Sequence, residues 1–272
     1  MHTAGHAGPE RCLLDLDTDL ADELELDIRR SARAAALAIV LDLPPGPIPI
    51  ADWLALTTDG LGILVVDGVV DAEVAVGGRT ASELLGAGDL IQPAGCVHDE
   101  LLACGASWRA LEPVRLAILD RRFVKRVRFW PQIHQALLRR AGGHAHDLNV
   151  QRAIAMHPRL EVRLTLMLWH LAARWGKVEP GGIRLPLPLT HQLLGRLIGA
   201  ERPSVSHALA RLARAGAVTR HGDEWHLHNG AADGLERIER MPLIARSRHG
   251  PWAGSGSLAT GPLATHVVRQ QR

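Results

Sequence analysis

An α+β chain in three parts is predicted: an N-terminal β domain of barrel or jelly-roll type, one long central helix, and a C-terminal helical domain closed by a β-hairpin. Three observations predict it. Short apolar runs separated by Gly, Asp and Pro turns fill the segment from about Leu61 to Leu119. A stretch free of proline follows Pro131 and runs to Ala155. Two short amphipathic segments flank Gly199, and an alternating run from Val218 to His228 comes after them.

The bulk numbers fit a folded chain. It has 272 residues, 47% hydrophobic and 22% charged, a length for two modest domains at roughly 100–200 residues each. Disorder throughout and fibrous repeats are excluded by that composition. The longest apolar run, Ala34 to Leu41, falls far short of the roughly 20 residues that span a bilayer. Met1-His2-Thr3-Ala4-Gly5-His6 lacks the basic and apolar regions of a signal peptide, so no membrane partner and a cytoplasmic location are expected. Cys12, Cys96 and Cys104 are odd in number and widely spread, which argues against a disulfide framework.

The net charge of +2 conceals an asymmetry. Residues 1–104 carry 18 Asp/Glu and 5 Arg, a net of −13, and residues 105–272 carry 26 Lys/Arg and 11 Asp/Glu, a net of +15. A basic half points to nucleic acid or another anionic partner. Only Lys125 and Lys177 are lysines. Arginine offers the planar, bidentate donor set that suits phosphate and guanine.

In chain order, residues 1–12 are expected to be a flexible tail and 13–130 the β domain. Leu13 to Leu26 is acidic and Leu-rich and leads into a helical stretch, about Asp27 to Ala36, which Pro44-Pro45-Gly46-Pro47 ends. Asp67-Gly68, Gly77-Gly78 and Gly86-Ala87-Gly88-Asp89 mark turns between strands. Residues 131–157 form the long helix, opened by Pro131 at its first position. Leu137, Ala141, Leu148 and Ala155 make one seam, fit for a dimer interface or for packing on the β domain. Residues 158–240 make the C-terminal domain, with an apolar helix over Leu160 to Trp175 and an extended connector at Pro186 and Pro188. Thr190 is an N-cap and Gly199 a helix terminator. A second helix opens at Pro203 and buries Val205, Ala208, Leu209 and Leu212. Residues 241–272 read as a flexible basic tail.

Two short helices, a three-residue turn and a hairpin are the layout of a winged helix-turn-helix. The first helix braces on phosphates and the second lays its N-terminal side chains in the major groove. Arg202, Ser204, Ser206 and His207 are the candidates for base reading, with Arg202 able to contact guanine O6 and N7 together. Thr190, His191, Gln192, Arg211 and His221 are the candidates for phosphate contacts. The competing reading is a ligand- or redox-sensing protein of the same fold that acts through protein contacts without DNA.

Residues 189–218 resemble the DNA-binding domain of the Crp/Fnr family. The family pattern is met by Thr190, Gly199, Arg202, Val205, Leu209, Leu212, Gly216 and Val218, and by the wing start His221-Gly222. Glu83-Leu84-Leu85-Gly86-Ala87-Gly88-Asp89-Leu90 resembles the Gly-Asp-Leu turn of the family's β-roll, and the helix after Trp130-Pro131 takes the place of its dimerisation helix. The resemblance spans roughly residues 13–240. It implies a cyclic-nucleotide-binding-like β-roll, a homodimer, a pseudo-palindromic site in double-stranded DNA, and RNA polymerase as a further partner.

The departures from that family are specific. Cyclic-nucleotide binders carry Gly-Glu soon after the turn and Arg-Ser/Thr-Ala later; here Gln92-Pro93 follows the turn and Leu102-Ala103-Cys104-Gly105-Ala106-Ser107-Trp108-Arg109 holds no such Arg. A cyclic phosphate buried without a charged partner costs several kcal/mol, so cyclic AMP is not expected as effector. Pro203 and His207 stand where members of the family often have Glu and Arg. Three cysteines cannot supply the four ligands of an Fnr-type cluster within one chain. His144 and His146, two apart on a helix, point away from each other; Cys96 and Cys104 read as buried, unreactive thiols rather than a redox pair or ligand site, and His98 beside them is not expected to hold haem or zinc, so no metal and no cofactor is expected. A cupin-type His-x-His, a Gly-x-Ser-x-Gly and a phosphate loop are all missing, so no enzyme activity is expected.

Overall fold

The computed structural model describes residues 8–22, 24–92 and 104–228, and the chain divides into two compact units, residues 1–153 and 154–272. The expected tails at 1–7 and 241–272, together with Pro93, Cys96 and His98, lie outside the described residues.

The first unit runs through β1 (Glu10–Cys12), α1 (Leu13–Leu16), α2 (Thr18–Asp22), α3 (Leu26–Ala32), β2 (Leu37–Leu43), β3 (Gly46–Ile48) and α4 (Ile50–Leu54). It continues with β4 (Gly62–Asp67), β5 (Val70–Val76), β6 (Arg79–Leu85), β7 (Leu90–Ile91), β8 (Cys104–Ala110), β9 (Val114–Leu119), α5 (Arg121–Val127) and α6 (Pro131–Ala155). Two antiparallel sheets result, ordered β1-β2-β9-β4-β7 and β3-β8-β5-β6. Alternation explains the layering. Ile63 and Val65 of β4 face a core shared with Ile48, Val70, Ala72 and Leu85 of the other sheet. Leu64 and Val66 face the opposite way, onto Leu13, Leu20, Phe123, Ile133 and Leu137 from the helices. β4 is thus buried on both sides, which is why it reads as a continuous apolar run rather than an alternating one.

The Gly86–Asp89 turn forms as expected. The Asp89 carboxylate accepts the Gly86 N–H at 2.8 Å, and Gly88 holds a φ of +91°, a conformation that disfavours a side chain.

Three expectations need correction. Glu10–Cys12, assigned to the tail, is a strand in register with Leu37–Ile39 of β2, anchored where Arg126 donates two hydrogen bonds to Glu10 at 2.7 and 3.0 Å. The helical stretch expected to reach Ala36 stops at Ala32, because the β-branched residues that follow pair with β9. The seam on α6 is rotated. Leu137 is buried in the core of this unit (1% exposed), whereas Leu138 is 65% exposed and Leu148 is 39% exposed, so the outward stripe runs through Leu138, Ala141, Ala145 and Leu148. α6 is held by Arg140, which grips Asp17 with both terminal guanidinium nitrogens, and by Gln151, which donates to the Ser82 carbonyl at 2.7 Å. His144 lies 3.3 Å from the Glu83 carboxylate.

The second unit holds α7 (Leu160–Trp175), β10 (Lys177–Glu179), β11 (Gly182–Leu185), α8 (His191–Ile198), α9 (Arg202–Arg214), β12 (Val218–His221) and β13 (Glu224–His228). Its sheet is ordered β10-β11-β13-β12. β10 and β11 precede Pro186 and Pro188, which mark only the end of this hairpin. Val162, Leu164, Met167, Leu168 and Leu171 of α7 are buried along with the apolar stripes of α8 and α9 and with Leu185, Trp225 and Leu227 of the sheet. The stripe expected on α9 is confirmed: Val205, Ala208, Leu209 and Leu212 are at most 6% exposed. α9 begins one residue earlier than expected, at Arg202, since Pro203 is tolerated in the first turn, where its missing N–H has no partner to lose.

Candidate nucleic-acid interface

The joint between α8 and α9 is set by local chemistry. The Thr190 hydroxyl accepts the Leu193 N–H at 3.1 Å and caps α8. Gly199 ends α8 in the left-handed region, φ +67°. The Ala200 N–H donates to the Gly195 carbonyl at 2.8 Å, and a Cβ on Gly195 would come within 2.4 Å of the Ala200 oxygen. Only glycine leaves room for a turn this tight, and the turn aims α9. Arg163 of α7 braces it from behind, donating to the Ile198 carbonyl at 3.2 Å.

Of the expected base readers, Arg202, Ser204 and His207 are exposed at the start of α9. Ser206 is half-buried. Its hydroxyl donates to the Arg202 carbonyl at 3.0 Å and meets Nδ1 of His191 at 2.8 Å.

Of the expected phosphate contacts, Thr190 and Gln192 are exposed at the first turn of α8 and His221 is exposed on the wing. His191 is half-buried, its ring 6.2 Å from that of Trp225. Burial first, and then the Arg220 and Arg202 guanidiniums, pull its imidazole below the ordinary histidine range. Arg211 is exposed, but its guanidinium pairs with the Glu161 carboxylate of α7.

Sequence reasoning missed four supports of this surface. They are the Glu161–Arg211 pair, the Arg163 brace, the Trp225 indole donating to the Leu189 carbonyl at 3.3 Å, and Arg220 stacked 5.3 Å from the Trp225 ring centre while bonded to the Gly222 carbonyl. Each joins residues from separate elements, and no spacing along the chain announces it. Only the Arg220–Trp225 contact had a signal, as facing positions of the predicted hairpin. Among the described residues no three His, Cys, Asp or Glu side chains come together as a metal site would need, and no helix is long and apolar enough to cross a membrane.

Comparison with known proteins agrees with this geometry. Residues 162–238 match the Crp-like helix-turn-helix domain. The chain is 30% identical over 121 residues to a CRP-like cAMP-activated global transcriptional regulator of Mycobacterium tuberculosis, a match over 43% of this chain and 53% of the relative. The match thus spans about half the length of that curated relative. Among solved structures, a mutant of CooA from Carboxydothermus hydrogenoformans superposes with a TM-score of 0.55 at 19% identity, over 84% of this chain and 95% of that one. The c-di-GMP responsive global regulator CLP of Xanthomonas campestris gives 0.53 at 17%, over 78% and 100%. At such identities the superpositions speak for the fold. The chain combines a sheet domain, a long helix and a helix-turn-helix braced by a four-stranded sheet. Residues 162–238 are thus a Crp-like helix-turn-helix domain, and the chain shares its fold with these solved structures.

Proposed function

We propose that the protein is a sequence-specific, DNA-binding transcription regulator that works as a homodimer on a pseudo-palindromic site. The observation that carries this reading is the N-terminal turn of α9. It exposes Arg202 and Ser204, with His207 exposed on the next turn, and its first turn holds no acidic residue. Arg202 reads guanine, and Ser204 and His207 reach neighbouring base edges or phosphates. Phosphates are gripped by the N-terminus of α8 through Thr190 and Gln192 and by the wing through His221. The outward stripe of α6, centred on Leu138 and Leu148, supplies the dimer contact, and two α9 helices then enter grooves about one helical turn, roughly 34–36 Å, apart.

Among its described residues, the β-roll presents no charged group placed to hold a cyclic phosphate. The one Arg of β8, Arg109, is exposed, while its neighbour Trp108 packs on the inter-sheet core. Gln92 follows the Gly-Asp turn where cyclic-nucleotide binders carry an acid.

Mapping of bound genomic fragments from cells, followed by gel shift on the enriched fragments and on random fragments, tests the proposal. Preferential retardation of the enriched set is expected. Retardation of neither set would overturn the reading in favour of a regulator acting through protein contacts.

A further inference from the structure

The Ser206 hydroxyl is spent within the protein. It has one hydrogen, which goes to the Arg202 carbonyl, a group that can only accept. Nδ1 of His191, 2.8 Å away, must then be the donor of the second bond. This fixes the ring as the Nδ1–H tautomer and leaves Nε2 as an acceptor. A neutral ring agrees with the groups around it. Burial first, and then Arg220 on the wing and Arg202 on α9, disfavour a charge there.

We infer that His191 and Ser206 form a strut between α8 and α9 that positions the recognition helix for base reading, and that neither residue contacts DNA as its place in the sequence suggests. The inference rests on the DNA-binding reading above. The bond joins the first residue of α8 to the second turn of α9, so it sets the rotation of α9 about its own axis and with it the direction of Arg202 and Ser204. Binding through phosphates tolerates a small rotation because charge attraction is not directional. Binding through base edges does not. His191 and Ser206 are therefore positioning residues, and their loss falls on specificity.

The test compares the full chain with S206A, H191N and H191Q on an enriched genomic duplex and on a random duplex. Asn places its amide nitrogen near Nδ1 of histidine and keeps the donor; Gln reaches toward Nε2 and loses it. S206A and H191Q are expected to weaken binding to the enriched duplex by about three- to ten-fold, the range of one hydrogen bond. Binding to random DNA should stay within about two-fold, and H191N should restore specific binding. The inference is overturned if S206A weakens both duplexes equally, if it relaxes preference at a single base position, or if H191Q rescues and H191N does not. Nitrogen-15 spectra of the histidine rings in the free protein read the tautomer without DNA, and an Nε2–H ring at His191 would overturn the strut. A chain that binds no duplex while showing the Nδ1–H tautomer would instead sink the DNA-binding reading and leave the strut as a fold contact alone.

Discussion

Arg202 shows what a single residue contributes. Its guanidinium stands exposed at the first position of α9, where the wide groove of B-DNA admits a helix end-on. Arg202→Ala is expected to cost about 1–3 kcal/mol on the specific duplex and little on random DNA, measured by fluorescence anisotropy. Equal losses on both would make it a phosphate anchor. His191 offers a second test at this scale, through pH. The unfolded imidazole ionises near 6.5, and the folded one is held lower. Between the two values the unfolded chain carries a proton that the folded chain does not, so stability is lost as pH falls below about 6.5. Urea midpoints of the wild type and H191N across that range should diverge, with the wild type falling more steeply; parallel curves would refute the assignment. The exposed place of Arg202 was legible in the sequence because it sits at a fixed offset from a capped helix. The fates of Ser206, His191 and Arg211 were not, because their partners lie 15, 15 and 50 residues away along the chain.

Among the elements, the turn between α8 and α9 and the outward stripe of α6 matter most. Thr190, Gly199 and the stripe of α9 were readable as a cap, a terminator and an i, i+3, i+4, i+7 pattern. The role of Gly195 was not, since nothing local shows that the Ala200 oxygen closes on its Cα. Gly195→Val forces backbone to move, and overpacking of this kind costs about 1–3 kcal/mol. Thermal unfolding should show a lowered midpoint, and an unchanged one would mean the turn has slack. On α6 the periodicity was visible but its phase was not. Leu137 and Leu138 are both apolar, and which one faces the core depends on how the helix lies against Phe123 and Leu13. Leu138→Asp should leave the folded chain's circular dichroism unchanged, because the side chain is exposed in the single chain, and should shift sedimentation toward the monomer. A dimer that persists would place the interface elsewhere. β10 and β11 escaped notice because three- and four-residue strands carry too little alternation to register, and the partner of β11, β13, lies about 40 residues downstream.

For the molecule as a whole, the sequence announced the division into a β part, a long helix and a winged part through changes of hydrophobic period. It did not announce the layer of short helices over the five-stranded sheet, where Leu64, Val66 and Leu119 are covered on their second face. The charge split has a consequence at this scale. An acidic segment 1–104 and a basic segment 105–272 bias phosphate attraction toward the basic segment, which carries α5 as well as α9. The β-roll, with Arg109 turned outward, is expected to take up no cyclic AMP at submicromolar concentration by calorimetry, and a tight isotherm would show that a phosphate partner comes from elsewhere. The central claim, that a pair of braced cationic helices reads duplex DNA, is tested most directly by titrating the full chain against a labelled enriched duplex over a range of salt. The account predicts two chains per duplex and an affinity that falls log-linearly with salt, at a slope of about −0.9 per phosphate contacted. A single chain that leaves the duplex unbound even at low ionic strength would contradict it.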